Sequence, residues 1–193
     1  MDKVNSSMIA TTALEPSHWP LYRDLRLQSL QDSPDAFGST YGSEATRTDE
    51  DWSARLQAAA SSGQGRAFVA LEGEAPCGLV WCKLAGAGPG IAEIFQMWVD
   101  PACRGRGAGR ALLQAALDWA RRHDMQRVRL GVTIQDSPAM HLYTALGFKP
   151  IGPPEPLRAG SALMSQGMEL VLDTVQARND LHRAPLAEQD PET

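Results

Sequence analysis

The chain has 193 residues, 43% of them hydrophobic and 21% charged, the size and apolar content of one globular domain with a substantial core. No apolar run approaches the roughly 20 residues of a membrane span, and the opening MDKVNSSMIATTALEPSHW lacks the apolar block of a secretory signal. A soluble, cytoplasmic protein without a membrane partner is therefore expected, and the formal net charge of -5 disfavours a nucleic-acid partner and favours a cationic substrate.

Residues 8–13, MIATTA, are rich in β-branched types and precede the turn Leu14-Glu15-Pro16-Ser17, so a short first strand is predicted behind a flexible segment 1–7. From Trp19, the positions Trp19, Tyr22, Leu25, Leu27 and Leu30 form an imperfect helical stripe ended by Asp32-Ser33-Pro34. Residues 35–46 read as a loop. Residues 48–60 read as a second helix, capped by Thr48 or Asp49 with acids in its first turn. Ala67–Leu71 and Gly78–Leu84 then form a predicted hairpin, and after a glycine-rich, mobile loop at 85–90 the run IAEIFQMWV at 91–99 reads as a strand buried on both faces.

Ala111, Leu112, Ala115, Ala116 and Trp119 recur at helical spacing, with Arg121, Arg122 and His123 placed favourably for the helix dipole. Val128–Ile134 predicts a strand, and a short helix comes next with Asp136 or Ser137 as cap, Pro138 in its first turn and Gly147 at its end. Pro150, Pro153, Pro154 and Pro156 exclude regular structure there, residues 162–172 form a closing strand, and 173–193 read as a disordered tail. Cys77, Cys82 and Cys103 form no C-x-x-C pair and are odd in number, so free thiols are expected and no metal site. The element order describes an α/β protein with a mixed sheet and helices on its faces.

One turn carries chemistry. Arg104-Gly105-Arg106-Gly107-Ala108-Gly109 leads from the strand at 91–99 into the helix at 107–122. Such an entry presents unpaired backbone N–H groups and the positive end of a helix dipole, which favour a bound phosphate. The glycines keep side chains away from an anion, while Arg104, Arg106 and Arg110 add charge. A glycine turn that only packs a helix against a strand is the alternative. Arg110-Ala111 after the last glycine does not fit the Walker pattern, and no βαβ unit carries the acid a dinucleotide fold requires.

The turn resembles the Q/R-x-x-G-x-G/A signature of the GNAT superfamily of N-acetyltransferases, with Arg104, Gly107 and Gly109 at its fixed positions. The stretch from Asp136 to Phe148 is similar to the same family's N-x-x-A-x-x-L-Y-x-x-x-G-F pattern, with Asp136 where asparagine is usual. The resemblance implies a GNAT-like single domain over 8–172, with a mixed, mostly antiparallel central sheet flanked by helices. It implies acetyl-CoA as cosubstrate, its pantetheine arm on the backbone of Met97, Trp98 and Val99 and its pyrophosphate at Arg104, Gly105, Arg106, Gly107, Ala108, Gly109 and Arg110. A carboxylate at Asp136 would be repelled by those phosphates.

The implied reaction is direct transfer of acetyl to a primary amine, of a small molecule or a protein, through a tetrahedral intermediate. The amine must be neutral, the oxyanion needs a donor and the departing thiolate an acid. By resemblance Tyr143 is the acid, and a core tyrosine is its alternative. Glu93 is the base suggested by an acid in an apolar strand and by its place eleven residues before Arg104, as in the family's histone-modifying members. A surface glutamate with water-relayed deprotonation is the alternative. The acceptor is not legible, a homodimer is left open, and a non-catalytic acyl-CoA-binding regulatory module is the competing class.

Overall fold

The computed structural model describes residues 8–85 and 90–172. Segments 1–7 and 173–193, and 86–89 of the loop expected to be mobile, lie outside the described residues. The strands are β1 (Ile9–Ala13), β2 (Gly65–Glu72), β3 (Ala75–Leu84), β4 (Ile91–Val99), β5 (Arg127–Thr133), β6 (Lys149–Pro156) and β7 (Met164–Val171). They form one sheet in the order β1-β2-β3-β4-β5-β7-β6, antiparallel throughout except between β4 and β5. The helices are α1 (Trp19–Asp32), α2 (Tyr41–Glu44), α3 (Asp49–Ser62), α4 (Ala108–Arg122) and α5 (Pro138–Ala145). The fold class is the expected one: a mixed, mostly antiparallel sheet flanked by helices.

The period-two alternation of the strands sorts side chains onto two cores. Ala67, Val69, Leu79 and Trp81 point to one face, where Tyr22, Leu25 and Leu30 of α1 and Trp52 and Leu56 of α3 cover them. Phe68, Ala70, Val80 and Cys82 point to the other, against Leu112, Leu113, Ala116 and Leu117 of α4. Each of these buried leucines stabilises the fold by about 1.5–3 kcal/mol. The buried stripe of α4 thus includes Leu113, Leu117 and Ala120 and leaves Ala111 at its margin.

Helix ends agree with the sequence signals. Thr48 Oγ1 accepts from the Asp51 amide at 3.2 Å while Asp51 Oδ2 accepts from the Thr48 amide at 3.0 Å, so Thr48 is the cap. Ser137 caps α5 by accepting from the Met140 amide at 3.2 Å.

Two segments differ from expectation. Within 35–46, read as a loop, Tyr41–Glu44 forms the short helix α2, and Glu44 is buried. The proline-rich segment is the strand β6. Prolines are tolerated there because β6 lies at the sheet edge with β7 as its single partner and breaks register between Ile151 and Glu155, so the missing N–H groups interrupt no inner ladder. No helix among the described residues is long and apolar enough to cross a membrane.

Candidate active site

The site begins at an irregularity in β4. Ala92 and Ile94 belong to the α4 core, but Trp98 belongs to the core of α1 and α3, so the strand changes phase between them. The change occurs at Gln96, whose φ of 57° is left-handed, and the pairing with β3 shifts register between Leu79 and Trp81. This is a β-bulge. The Gln96 side chain is buried and accepts from the Tyr22 hydroxyl at 2.9 Å. Beyond the bulge β4 leaves its parallel neighbour: pairing with β5 ends at Ile94 and Leu130, while β5 continues along β7 to Thr133. The β5-facing edge of residues 95–99 is therefore open for an extended amide chain.

A cavity of about 620 Å³ lies along this edge, lined by Met97, Trp98 and Val99, by the turn before α4, and by α5. Gly105 and Gly107 have φ of 77° and 91°, and a Cβ at either would meet no atom within 4 Å. The backbone conformation requires glycine, and the room a side chain would take is left for a ligand. Gly107, Ala108 and Gly109 bring the start of α4 to the cavity.

The three arginines expected to add charge have different placements. Arg104 lines the cavity, but its guanidinium donates to Asp32 Oδ2 at 2.6 Å and to the Val99 carbonyl at 3.0 Å. Arg106 lies outside the lining and pairs with Glu72 at 2.5 Å. Arg110 lines the cavity, is exposed, and has no ion-pair partner among the described residues. Asp136 is 89% exposed, pairs with His141 Nε2 at 2.7 Å, and is not part of the lining. The Asp136 carboxylate is thus screened by solvent.

Asp32, which sequence reasoning missed, ends α1 and also accepts from Trp98 Nε1 at 2.9 Å. Burial opposes its ionisation, yet the hydrogen bonds from Ser33, Trp98 and Arg104 outweigh this and hold the carboxyl below its ordinary range.

Tyr143 projects from α5 and is 5% exposed. Its ring packs on Phe148 with centroids 5.8 Å apart. Burial pushes its phenol up, so at neutral pH it is protonated and can donate a hydrogen bond. Tyr143 and Met97 also line a second cavity of about 420 Å³ on the α1 and α3 side. Glu93 is exposed, with Lys83 and Arg129 as its register neighbours. It lines neither cavity, and lies on the face of Phe95 one strand repeat away. The structure therefore brings Tyr143 and the β4 backbone together and leaves Glu93 apart.

Arg26, Arg55 and Glu44 also escaped sequence reasoning. Arg26 and Arg55 line the second cavity. Arg26 Nη2 donates to Glu44 Oε1 at 3.0 Å, with the side chains 2% and 3% exposed. Burial opposes ionisation of Glu44, but the hydrogen bond and charge of Arg26 prevail and hold its carboxyl low. The available signal was a charge at position 26 on the stripe of Tyr22, Leu25 and Leu30, one helical turn from two of them. All three cysteines are free, and burial pushes the Cys77 and Cys82 thiols up to about 11 and about 12, which makes them poor nucleophiles.

Residues 26–148 match the Acetyltransferase (GNAT) family. The chain is 42% identical over 72 residues to the mycothiol acetyltransferase of Beutenbergia cavernae, across 37% of this chain and 24% of that protein. It thus spans less than a third of that relative. The crystal structure of the acetyltransferase of GNAT family from Streptococcus pneumoniae superposes with a TM-score of 0.71 at 22% identity, covering 86% of this chain and 100% of that one. The yncA protein of Salmonella typhimurium, solved with its cofactor acetyl-CoA, superposes with a TM-score of 0.71 at 20% identity, over 86% and 94% of the two chains. At these identities the structural likeness is one of fold.

Proposed function

We infer the reaction from one premise: the chain belongs to the acetyltransferase (GNAT) family. Residues 8–172 act as one acetyltransferase domain that moves the acetyl group of acetyl-CoA to an amine. The observation that carries this reading is that Tyr143 lines both cavities, at the place where β4 parts from β5.

The pantetheine arm lies as an added strand on the backbone of Met97, Trp98 and Val99. The pyrophosphate meets the N–H groups and dipole at the start of α4, helped by Arg110. Arg104 and Arg106 act on the turn through Asp32 and Glu72. The amine enters from the second cavity, and its nitrogen bonds to the acetyl carbon to give a tetrahedral oxyanion, which collapses with cleavage of the carbon–sulfur bond. Tyr143 gives its proton to the departing sulfur. The amine proton leaves through water on the face of Phe95 to the exposed Glu93, which releases it to solvent, and a solvent proton restores the Tyr143 phenol. Main-chain N–H groups of β4 beyond the bulge stabilise the oxyanion. Three free thiols suit a reducing compartment, so the cytoplasm is the proposed place of action.

The test is a panel of amines with acetyl-CoA, read by released CoA thiol. Turnover of any of them supports the reading; binding of acetyl-CoA with no turnover across a broad panel would favour the regulatory module.

A further inference from the structure

The second cavity has an electrostatic character opposite to that of the whole chain. The formal net charge is -5, yet among the described residues the charged side chains lining this cavity are Arg26 and Arg55. Glu44 is outside the lining and is enclosed by guanidinium groups: Arg26 at 3.0 Å from Oε1, and Arg47 and Arg55 each at 3.9 Å from Oε2. Three cations thus face one carboxylate.

Arg26 is 2% exposed, and its Nε is a buried donor with no hydrogen-bond partner among the described residues. A buried unpaired donor of this kind costs free energy unless a ligand or water completes it. The guanidinium is held in place: it lies 4.7 Å from the Phe37 ring centre, while that of Arg55 lies 5.4 Å from the ring centre of Trp81. Planar donors fixed in this way match a carboxylate. The remaining wall is mixed, with Phe37, Phe95 and Leu157 beside Ser39, Gln96 and Ser165, and about 420 Å³ is the scale of a small-molecule site.

Building on the acetyl-transfer reading, the geometry points to an acceptor amine that itself carries a carboxylate: a small amino acid. Its carboxylate meets Arg26 and Arg55, its side chain rests on the aromatic wall, and its amine faces Tyr143 and the acetyl group. A polycation is disfavoured, because its second charge would lie beside the arginines without a counter-charge. The local lining decides this where the net charge of the chain does not, since exposed charges farther away than about 10 Å are screened.

The experiment uses the full chain with L-phenylalanine, L-phenylalaninamide and phenethylamine, and with the corresponding leucine trio. Turnover is read by released CoA thiol, and calorimetry records binding of the same probes to the CoA-loaded protein, which needs no chemistry. The free amino acids are expected to surpass their amides by about ten- to a hundredfold, the range of a charge-assisted hydrogen bond. Arg55→Gln, on a side chain that is 29% exposed, should bring that ratio to within about threefold while leaving the acetyl-CoA thermal shift intact. Amides or decarboxylated amines that bind as well as the amino acids, or a ratio unchanged in Arg55→Gln, would overturn the inference. Carboxylate-dependent binding without turnover would uphold carboxylate recognition by the arginines and instead count against acetyl transfer.

Discussion

Asp32 and Arg104 are joined by a 2.6 Å contact between carboxylate and guanidinium, and the same Asp32 oxygen accepts from Trp98 Nε1 at 2.9 Å. One carboxylate at the end of α1 thus ties the last part of β4 to the turn that precedes α4. Asp32→Ala removes both bonds and frees Arg104, so the turn loses its fixed position relative to the open edge of β4. The expected cost is about 1–2 kcal/mol of stability and roughly a three- to tenfold weaker acetyl-CoA affinity, from the loss of preorganisation. Calorimetry with acetyl-CoA checks this, and an unchanged Kd would mean that the clamp is not part of the site.

A second prediction concerns acid. Asp32 and Glu44 both have depressed carboxyl pKa values: burial opposes ionisation in each, but their hydrogen-bonding and cationic partners prevail. A folded-state pKa below the unfolded one gives stability that is fully present above the unfolded value, about 3.9 for Asp and 4.3 for Glu. That stability is lost as pH falls through the folded values. The melting temperature should therefore drop steeply below about pH 4. At neutral pH, Glu44→Gln leaves Arg26 buried and charged and should cost about 3–5 kcal/mol. Urea unfolding at pH 7 measures this directly, and a loss under about 1 kcal/mol would place the Arg26 charge in contact with water.

What could be read in the sequence depended on how local each signal was. The passage from β4 through the glycine turn into α4 was legible because turn glycines and helical periodicity act within a few residues, and Tyr143 was legible through its motif. Arg26 and Glu44 form their pair across 18 positions, one of them in a stretch that resembled a loop, so neither was visible. The partners that tie down Arg104 and Arg106 lie 72 and 34 positions away, and those two arginines therefore read as free cations. The prolines of β6 argued against a strand because nothing in the sequence says that the strand is at an edge. The bulge had one trace, the polar Gln96 inside an otherwise apolar run.

Gly107 offers a test of the phosphate position. Its φ of 91° is unfavourable for a branched residue, although no atom lies within 4 Å of a Cβ built there. Gly107→Val should therefore lower the melting temperature by roughly 2–8 °C through backbone strain and abolish stabilisation by acetyl-CoA. Gly152 provides the control, with a φ of 63° and equally open space, but in the edge strand β6 away from the first cavity. Gly152→Val should be destabilised to a similar degree and keep the acetyl-CoA shift. Equal shifts in the two variants would move the pyrophosphate elsewhere.

The final prediction concerns Tyr143. Tyr143 lines both cavities, and burial keeps its phenol protonated while making it a weaker acid, so in the proposed mechanism its proton passes to the sulfur only as thiolate charge develops. Tyr143→Phe retains the ring and its packing on Phe148 and removes only the hydroxyl, so stability should change by no more than about 1 kcal/mol. With an amine that the native protein acetylates, kcat should fall roughly ten- to a thousandfold, the effect of losing one positioned acid, while acetyl-CoA affinity stays within about twofold. Replacing the acetyl thioester with one whose thiol is more acidic, such as an S-acetyl aryl thiol, makes the leaving group less dependent on a proton. The deficit of the variant should then shrink with that donor, provided it occupies the site. A variant equally impaired with both donors would act through positioning, and a parallel loss of acetyl-CoA binding and turnover would assign Tyr143 to the cosubstrate site.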